Sequence, residues 1–377
     1  MIYYPKANDF QNSTYLGTWN QSEIPVYDVP TMHALNQLIG YVKHINAGNG
    51  TVLYRGQCKL YEYVVPSILH NLKNKTTDEN RLNKSIDAII KDSSCAKFFG
   101  LNNAEIEGWS LYKKLVIEAA LQHYGSKTYC VDFVDNHWTA LWFGLYEWNR
   151  KNNKYIIRHK KKDCIDDEYI VRDVNVKKKA YPKKPRIEDV ILDKKAQKYV
   201  ENTACETITK EQLTRRLITS NHNRNIKKWE KECAKIDEFN KKIDALENQQ
   251  HLFLFLYVSE TNYPNVRGVY LGENTYTIDL RKALPSTFLR PCSQHGWVVR
   301  GKSNDYMFND NIACVIRLSV DLATHMLGNG SLLSQENFFP SESIDQGYKI
   351  LLSRQKNSRI TLDKPKILPP DMIADFG

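Results

Sequence analysis

Polar side chains that could bind a ligand or transfer protons are concentrated in residues 120–144 of this 377-residue chain, ALQHYGSKTYCVDFVDNHWTALWFG. His123 has an unperturbed pKa near neutrality, so it could exchange protons, and Tyr124 could stack on a planar ring. The pattern predicts a helix end, a turn at Gly125, a short strand and a second helix, a junction of elements where functional side chains are often found. The candidates at this junction are Gln122, His123, Tyr124, Thr128 and Asp132.

A second polar group follows a predicted strand at Thr51–Tyr54. Arg55 could bind a phosphate or carboxylate through two hydrogen bonds, and Gly56 would let a ligand approach the backbone. Alternatively, Arg55 forms a structural salt bridge. Gln57 and, further along, Ser67 are additional candidates for ligand contacts.

A third polar group is RPCSQHGW at residues 290–297, where Arg290, Gln294 and His295 could contact a ligand. The eight cysteines are scattered, with no C-x-x-C pair and no zinc-like spacing with histidine. We therefore expect no metal site and interpret the cysteines as small buried residues of a reducing, cytoplasmic compartment. The N-terminus shows no secretory signal, and the longest apolar run, residues 252–258, is too short to span a bilayer, so no membrane partner is expected.

Helical and strand periodicities alternate along the chain and predict an α+β fold with a compact mixed or antiparallel sheet and flanking helices. The net charge of +10 is uneven: residues 150–247 hold 27 Lys and Arg against 17 Asp and Glu, whereas the rest holds 26 of each. We therefore predict a core of residues 1–149 and 251–377 that is split by a basic, partly helical insertion at 150–250. The insertion could bind nucleic acid, and its amphipathic helix at 221–248 could pair with a partner protein.

Five short blocks together resemble the FRG family, which is named for a Phe/Tyr-Arg-Gly signature. They are YRGQ at 54–57, PS at 66–67, LQHYG at 121–125, RPCSQHG at 290–296 and FFPS at 338–341. Two positions depart from the family pattern, because Tyr129 and His70 stand where members often carry arginine. The resemblance implies a toxin or an antiviral (anti-phage) defence protein.

Our first functional hypothesis is an enzyme similar to ADP-ribosyltransferases, with NAD as cosubstrate. In such a site Arg55 with Gly56 would anchor the dinucleotide, Tyr124 would clamp a ring, and Gln294 or Glu336 would stabilise positive charge on the ribose. We predict one cleft. Its catalytic residues would be Arg55, His123, Asp132 and Gln294, and its ligand-binding residues Gly56, Gln57, Ser67, Gln122, Tyr124, Thr128, Arg290 and His295.

Two other classes of function stay open. A nucleic-acid-binding or nucleic-acid-cleaving effector could use His123, His295 and Asp132 for metal-independent acid–base chemistry, with Trp229 or Tyr181 stacking on bases. A ligand-sensing module without catalysis would need only the binding residues. The chain has no Walker A motif, Rossmann glycine fingerprint, serine-hydrolase elbow or HExxH motif, which excludes the enzymes that depend on them.

Overall fold

A computed structural model describes residues 2–20, 22–101, 109–149, 154–157, 170–171, 180–202, 209–248, 250–263, 265–328 and 333–356. The chain divides into two compact units, one formed by residues 1–173 and 250–377 and the other by residues 174–249. The second unit therefore starts later than the predicted insertion. Residues 150–153, 158–169, 172–179, 203–208 and 249 of that insertion lie outside the described ranges. No helix among the described residues has the length and apolar character needed to cross a membrane.

The larger unit is built on an eleven-stranded mixed sheet. The strands are β1 (Thr14–Trp19), β2 (Pro25–Asp28), β3 (Thr51–Gln57), β4 (Cys130–Val134), β7 (Ile170–Val171), β8 (His251–Ser259), β9 (Asn265–Val266), β10 (Val269–Leu271), β11 (Thr275–Asp279), β12 (Gly296–Gly301) and β13 (Ile312–Ser319). Their order across the sheet is β7-β1-β2-β13-β8-β3-β4-β12-β11-β10-β9, and all neighbouring pairs are antiparallel except β2 and β13. Helices and a large mixed sheet confirm the predicted α+β class.

Ten helices of this unit are described, several of them one turn long. They are α1 (Met32–Ile45), α2 (Lys75–Lys91), α3 (Ser93–Phe98), α4 (Trp109–His123), α5 (His137–Leu145), α8 (Leu280–Ala283), α9 (Leu289–Ser293), α10 (Val320–Met326), α11 (Gln335–Phe338) and α12 (Gln346–Lys356). The aromatic stripe at 136–148 predicts one helix, but α5 ends at Leu145 and the chain continues as a hairpin, β5 (Tyr146–Asn149) with β6 (Lys154–Ile157). The hairpin lets Tyr146 stack on Trp142 and places Tyr155 beside it, so tertiary aromatic packing overrides the helical pattern.

The strand β8 lies next to the central strand β3, and its nine residues are all buried, as its unbroken apolar sequence predicts. One apolar cluster joins α1 and α5 to β3, β8 and β13, and a second joins α2, α3 and α4 to β11 and β12. The strands β3 and β4 lie side by side in the sheet, at the boundary between the two clusters. The site described below lies at this boundary.

The described part of the second unit contains two α-helices, α6 (Lys194–Asn202) and α7 (Lys210–Asn248), preceded by an irregular segment with one 3-10 turn at Ile187–Asp189. The helix α7 includes the predicted helix at 221–248 and begins eleven residues earlier. Trp229 donates its indole N–H to the carbonyl of Pro182 at 2.8 Å, and Ile236 is buried. The apolar side of α7 therefore packs against its own unit.

Candidate functional site

The site lies between β3 and β4, at a place where the two strands are hardly paired. These two strands share a single paired position, Tyr54 with Val134, although both continue beyond it. Beyond the pair, the Arg55 guanidinium takes the place of a backbone donor, and its Nη1 donates to the carbonyl of Asp132 at 2.8 Å. Arg55 thus bridges the two strands and lies next to the backbone of a carboxylate residue.

The carboxylate of Asp132 is held by the last turn of α4. Gln122 Nε2 donates to Asp132 Oδ2 at 2.6 Å, and His123 Nδ1 lies 3.8 Å from Oδ1, too far for a hydrogen bond. Burial by itself raises the pKa of Asp132, but His123, Gln122 and Arg55 together outweigh it, so the pKa is lowered from its usual value. Asp132 is therefore ionised at neutral pH.

A relay of hydroxyl groups orients the Gln122 amide. Thr128 Oγ1 donates to Gln122 Oε1 at 2.6 Å, and the Ser67 hydroxyl lies 3.5 Å from the same oxygen. The backbone N–H of Thr128 in turn donates to Ser67 Oγ at 3.0 Å. Because both hydroxyls face the amide oxygen, the amide nitrogen is directed at Asp132. Ser67 and Thr128 therefore position the site.

Two glycines explain how α4 presents its last turn. Gly125 has φ of 100°, a conformation that favours glycine, and Ser126 N–H donates to Leu121 O at 2.8 Å, so the helix ends in a Schellman-type cap. At the start of β12, a Cβ on Gly296 would lie 2.8 Å from His123 Cε1. The missing side chain at Gly296 makes room for the His123 ring beside Asp132.

Three buried polar atoms of residues that contact one another here, Arg55 Nε, His123 Nε2 and Asp132 Oδ1, have no hydrogen-bond partner within the described part of the chain, and neither has Gln57 Oε1 near the end of β3. Such atoms cost free energy when nothing satisfies them, so they indicate a place for a ligand or water. The Asp132 side chain is 41% exposed although its Oδ1 is covered. The atoms include donors and acceptors, which suits a polar ligand.

Gly56 has a different role from the predicted one. A Cβ at Gly56 would lie 1.7 Å from the carbonyl oxygen of Ala140 and 2.8 Å from the backbone nitrogen of Gly144. The space in front of Gly56 is therefore filled by α5. The glycine permits close packing of α5 on β3. The prediction that a ligand approaches the backbone at Gly56 is therefore wrong, because α5 fills this space.

Arg290 and Tyr124, both predicted to bind ligand, contact each other inside the fold. The guanidinium of Arg290 lies 4.7 Å from the Tyr124 ring centre and 5.0 Å from that of Tyr348, and both Arg290 and Tyr124 are buried. The Tyr124 hydroxyl donates to Asp345 Oδ2 at 2.7 Å. Arg290 Nη1 also reaches the His123 carbonyl, at 3.4 Å. The contact between Arg290 and Tyr124 therefore holds the end of α4 against the interior of the fold.

Gln294 is likewise engaged inside the fold, where its amide nitrogen donates to the carbonyl of Phe338 at 2.7 Å. This bond ties the RPCSQHG block to the FFPS block, and Phe338 packs against Trp142 of α5. Glu336, the alternative late polar group, is exposed. The late blocks therefore join α4, α5 and α11 through interior contacts.

His295 lies beside an ionic cluster that sequence reasoning missed. Its Nδ1 lies 3.1 Å from Asp135 Oδ1, and the other carboxylate oxygen of Asp135 contacts Arg281 at 2.5 Å and the Trp297 indole N–H at 3.2 Å. The backbone of His295 has φ of 53° at the end of α9. Asp135 follows the strand that carries Asp132 by one residue, which is the only sequence signal that could have identified it.

The two departures from the family pattern have local partners. The Tyr129 hydroxyl contacts Glu79, and Arg300 lies over the Tyr129 ring at 5.5 Å. His70 Nε2 lies 3.2 Å from the carbonyl of Val65. Within the described ranges, no group of three or more His, Cys, Asp or Glu side chains is arranged to hold a metal ion. The expected absence of a metal cofactor stays a prediction.

Comparison with known families agrees with the resemblance found in the sequence. Residues 50–153 match the family model of the FRG domain, which confirms that the chain carries this domain. The matched region includes Arg55, the end of α4 and Asp132, whereas the RPCSQHG and FFPS blocks lie beyond it. No curated protein and no solved structure matches the chain.

Proposed function

We propose that this FRG domain is an enzyme that cleaves NAD in the manner of ADP-ribosyltransferases. The observation that carries the proposal is the Asp132 carboxylate, which is 41% exposed, accepts a hydrogen bond from Gln122 and lies near buried polar atoms of Arg55 and His123 that have no partner among the described residues. A carboxylate kept ionised in a cleft stabilises positive charge in a bound substrate, and such electrostatic stabilisation is usually the largest catalytic contribution.

Cleavage of NAD creates such a charge. The bond between the ribose carbon and the nicotinamide nitrogen breaks, its electron pair stays with the nitrogen, and neutral nicotinamide leaves. The ribose then carries oxocarbenium-like positive charge until the acceptor forms a bond to the same carbon and loses its proton. Asp132 stabilises the charge, as carboxylates do in glycoside cleavage, and His123 accepts the proton. The proposal moves the charge-stabilising role from Gln294 or Glu336 to Asp132.

Arg55 supplies the complementary charge. Its Nη1 is occupied by the Asp132 carbonyl, and its Nε has no described partner. Burial lowers the pKa of Arg55, whereas Asp132 and Tyr61 raise it, and an arginine remains cationic in proteins in any case. The guanidinium therefore attracts the dinucleotide phosphates while Asp132 faces the ribose. The accompanying role as a toxin or defence effector is part of the proposal and rests on the resemblance of the sequence blocks to the FRG family.

The test is nicotinamide release from NAD, with cell extract as the source of acceptor. We expect Asp132→Asn, which keeps the shape and the contact with Gln122, to lower the rate at least about 100-fold, the cost of removing one electrostatic stabiliser. Arg55→Lys keeps the charge but loses the planar fork, and should lower the rate at least about tenfold, or about 1.4 kcal/mol. Glu336→Gln, at an exposed carboxylate, is the matched control and should leave the rate unchanged.

Thermal unfolding of each variant separates loss of activity from loss of fold. If Asp132→Asn and Glu336→Gln release nicotinamide equally fast, Asp132 has no catalytic role. If the wild type releases none but degrades RNA or DNA, the domain is a nuclease, and His123→Ala should then be more damaging than Arg55→Lys. Binding of a ligand without turnover would make it a sensor.

A further inference from the structure

The second unit carries most of the net positive charge of the chain. Residues 174–249 contain 19 Lys and Arg against 12 Asp and Glu, a net charge of +7, whereas the whole chain has +10. The catalytic proposal does not use this charge. Its arrangement on α7 indicates a separate surface.

Five cations form a ridge on α7. Successive residues of an α-helix turn by about 100°, so the spacing of the five places them within an arc of roughly 100° over about 17 Å of helix. Glu238, on the same side one turn later, ends the ridge. The five residues, all exposed, are Arg224, Lys227, Lys228, Lys231 and Lys235. We call them the α7 ridge.

The α7 ridge is free to bind an external anion. Within the part of the chain that the structure describes, none of its five side chains is in an ion pair, although acidic residues occur elsewhere on α7. The apolar residues of the same helix face away from the ridge: Trp229 is bound to Pro182, and Ile236 is buried. Like charges repel within the ridge, so an anionic partner relieves an existing electrostatic cost.

We propose that the α7 ridge binds the phosphate backbone of a nucleic-acid duplex. A duplex carries one negative charge per about 1.7 Å of axis, so a rigid row of cations about 17 Å long meets several phosphates at once. A membrane surface fits less well, because membrane-binding helices expose large apolar side chains next to their cations. Between residues 210 and 241 of α7 no large apolar side chain is exposed.

Trp229 and Tyr181 each have a contact within the second unit. The Trp229 ring lies under Lys184, 5.8 Å from its Nζ, and the hydroxyl of the exposed Tyr181 donates to Asp237 at 2.5 Å. Base stacking by these two residues stays a prediction. The α7 ridge itself consists of cations, so it contacts phosphates, and its contribution to affinity depends on salt.

The test compares two triple variants of the full chain that lose the same charge from the same unit. Lys227→Gln, Lys228→Gln and Lys231→Gln remove the centre of the α7 ridge, and the control replaces the exposed Lys194, Lys195 and Lys198 of α6 by Gln. Binding of a labelled 20-base-pair DNA is measured between 50 and 200 mM salt. Each lost phosphate contact lowers the slope of log K against log salt by about 0.9, so the ridge variant should lose about 2.7.

We expect the ridge variant to bind at least 30-fold more weakly at 50 mM salt and the control to stay within threefold of the wild type. Equal losses in both variants, or no binding by the wild type, would overturn the proposal. So would ridge-dependent binding to vesicles of phosphatidylserine and phosphatidylcholine with none to DNA. The ridge variant should still release nicotinamide, and Asp132→Asn should still bind DNA. The two proposals can therefore fail independently of each other.

Discussion

The stability of the larger unit should fall in mild acid because of His137. This residue begins α5, and its ring lies 4.8 Å from that of Trp138 and 5.8 Å from that of Tyr54. Its Nε2 is buried without a hydrogen-bond partner among the described residues. Burial, and then the charge of Lys43, lower the pKa of His137 to about 4, from 6.5. The fold therefore favours the neutral ring.

The sign and size of the effect follow from these two pKa values. Above pH 6.5 the ring is neutral in both the folded and the unfolded chain, so it adds no pH dependence. As the pH falls below 6.5, the unfolded chain binds a proton that the folded chain refuses, and the free energy of unfolding decreases until about pH 4. At pH 5 the full shift gives about 2 kcal/mol. Because the ring is partly exposed, solvent screening reduces this to about 1 kcal/mol.

The assay is urea unfolding at pH 7.5 and pH 5. Between pH 7.5 and pH 5, the free energy of unfolding of His137→Gln should fall by about 1 kcal/mol less than that of the wild type, since glutamine cannot take up the proton. His33→Gln, at an exposed histidine of α1, is the matched control and should keep the wild-type difference. The reasoning is refuted if both variants lose the same stability between the two pH values as the wild type does.

Two further predictions concern packing and buried charge. Gly56→Ala should destabilise the fold by about 3 kcal/mol or more, the upper end for overpacking a core, because its Cβ would overlap the Ala140 carbonyl. Gly40→Ala changes an exposed helical position with open space and should instead stabilise the fold by about 0.5–1 kcal/mol. Urea unfolding measures both. Arg317→Met removes an ion-pair partner of buried Asp28, 3.0 Å away, and should lower the free energy of unfolding by about 3–5 kcal/mol. Adding Asp28→Asn should restore part of this stability. A double variant as unstable as the single one would contradict the charge argument.

Sequence patterns were sufficient for the elements whose own residues determine them. The apolar run at 252–258 lies within β8, and the helix end, turn and short strand predicted around Gly125 correspond to the end of α4, Gly125 and β4. The strands β1 and β2 escaped prediction because they are short, and β2 pairs with β13, nearly 290 residues away. Pairing over such a distance leaves no local trace in composition or periodicity.

The same distinction applies to the site. Arg55 and Asp132 stand at or next to the ends of predicted elements, and the structure brings them together with Gln122, His123 and Thr128. Tyr124 satisfied the same criterion but is buried under Tyr348. A polar or aromatic residue at the end of an element can face a cleft or cap the interior, and only the elements packed on it decide between the two.

Residues of the RPCSQHG block determine the position of His123 although they lie outside the group around Asp132. Gly296 leaves room for the His123 ring, Arg290 contacts the His123 carbonyl, and Gln294 holds the Phe338 carbonyl of α11. These contacts fix the turn of α4 that directs Gln122 and His123 toward Asp132. Because the position of His123 depends on contacts made 167 and more residues later in the chain, residues 50–153 contain the polar groups of the site but not all the groups that hold them in place.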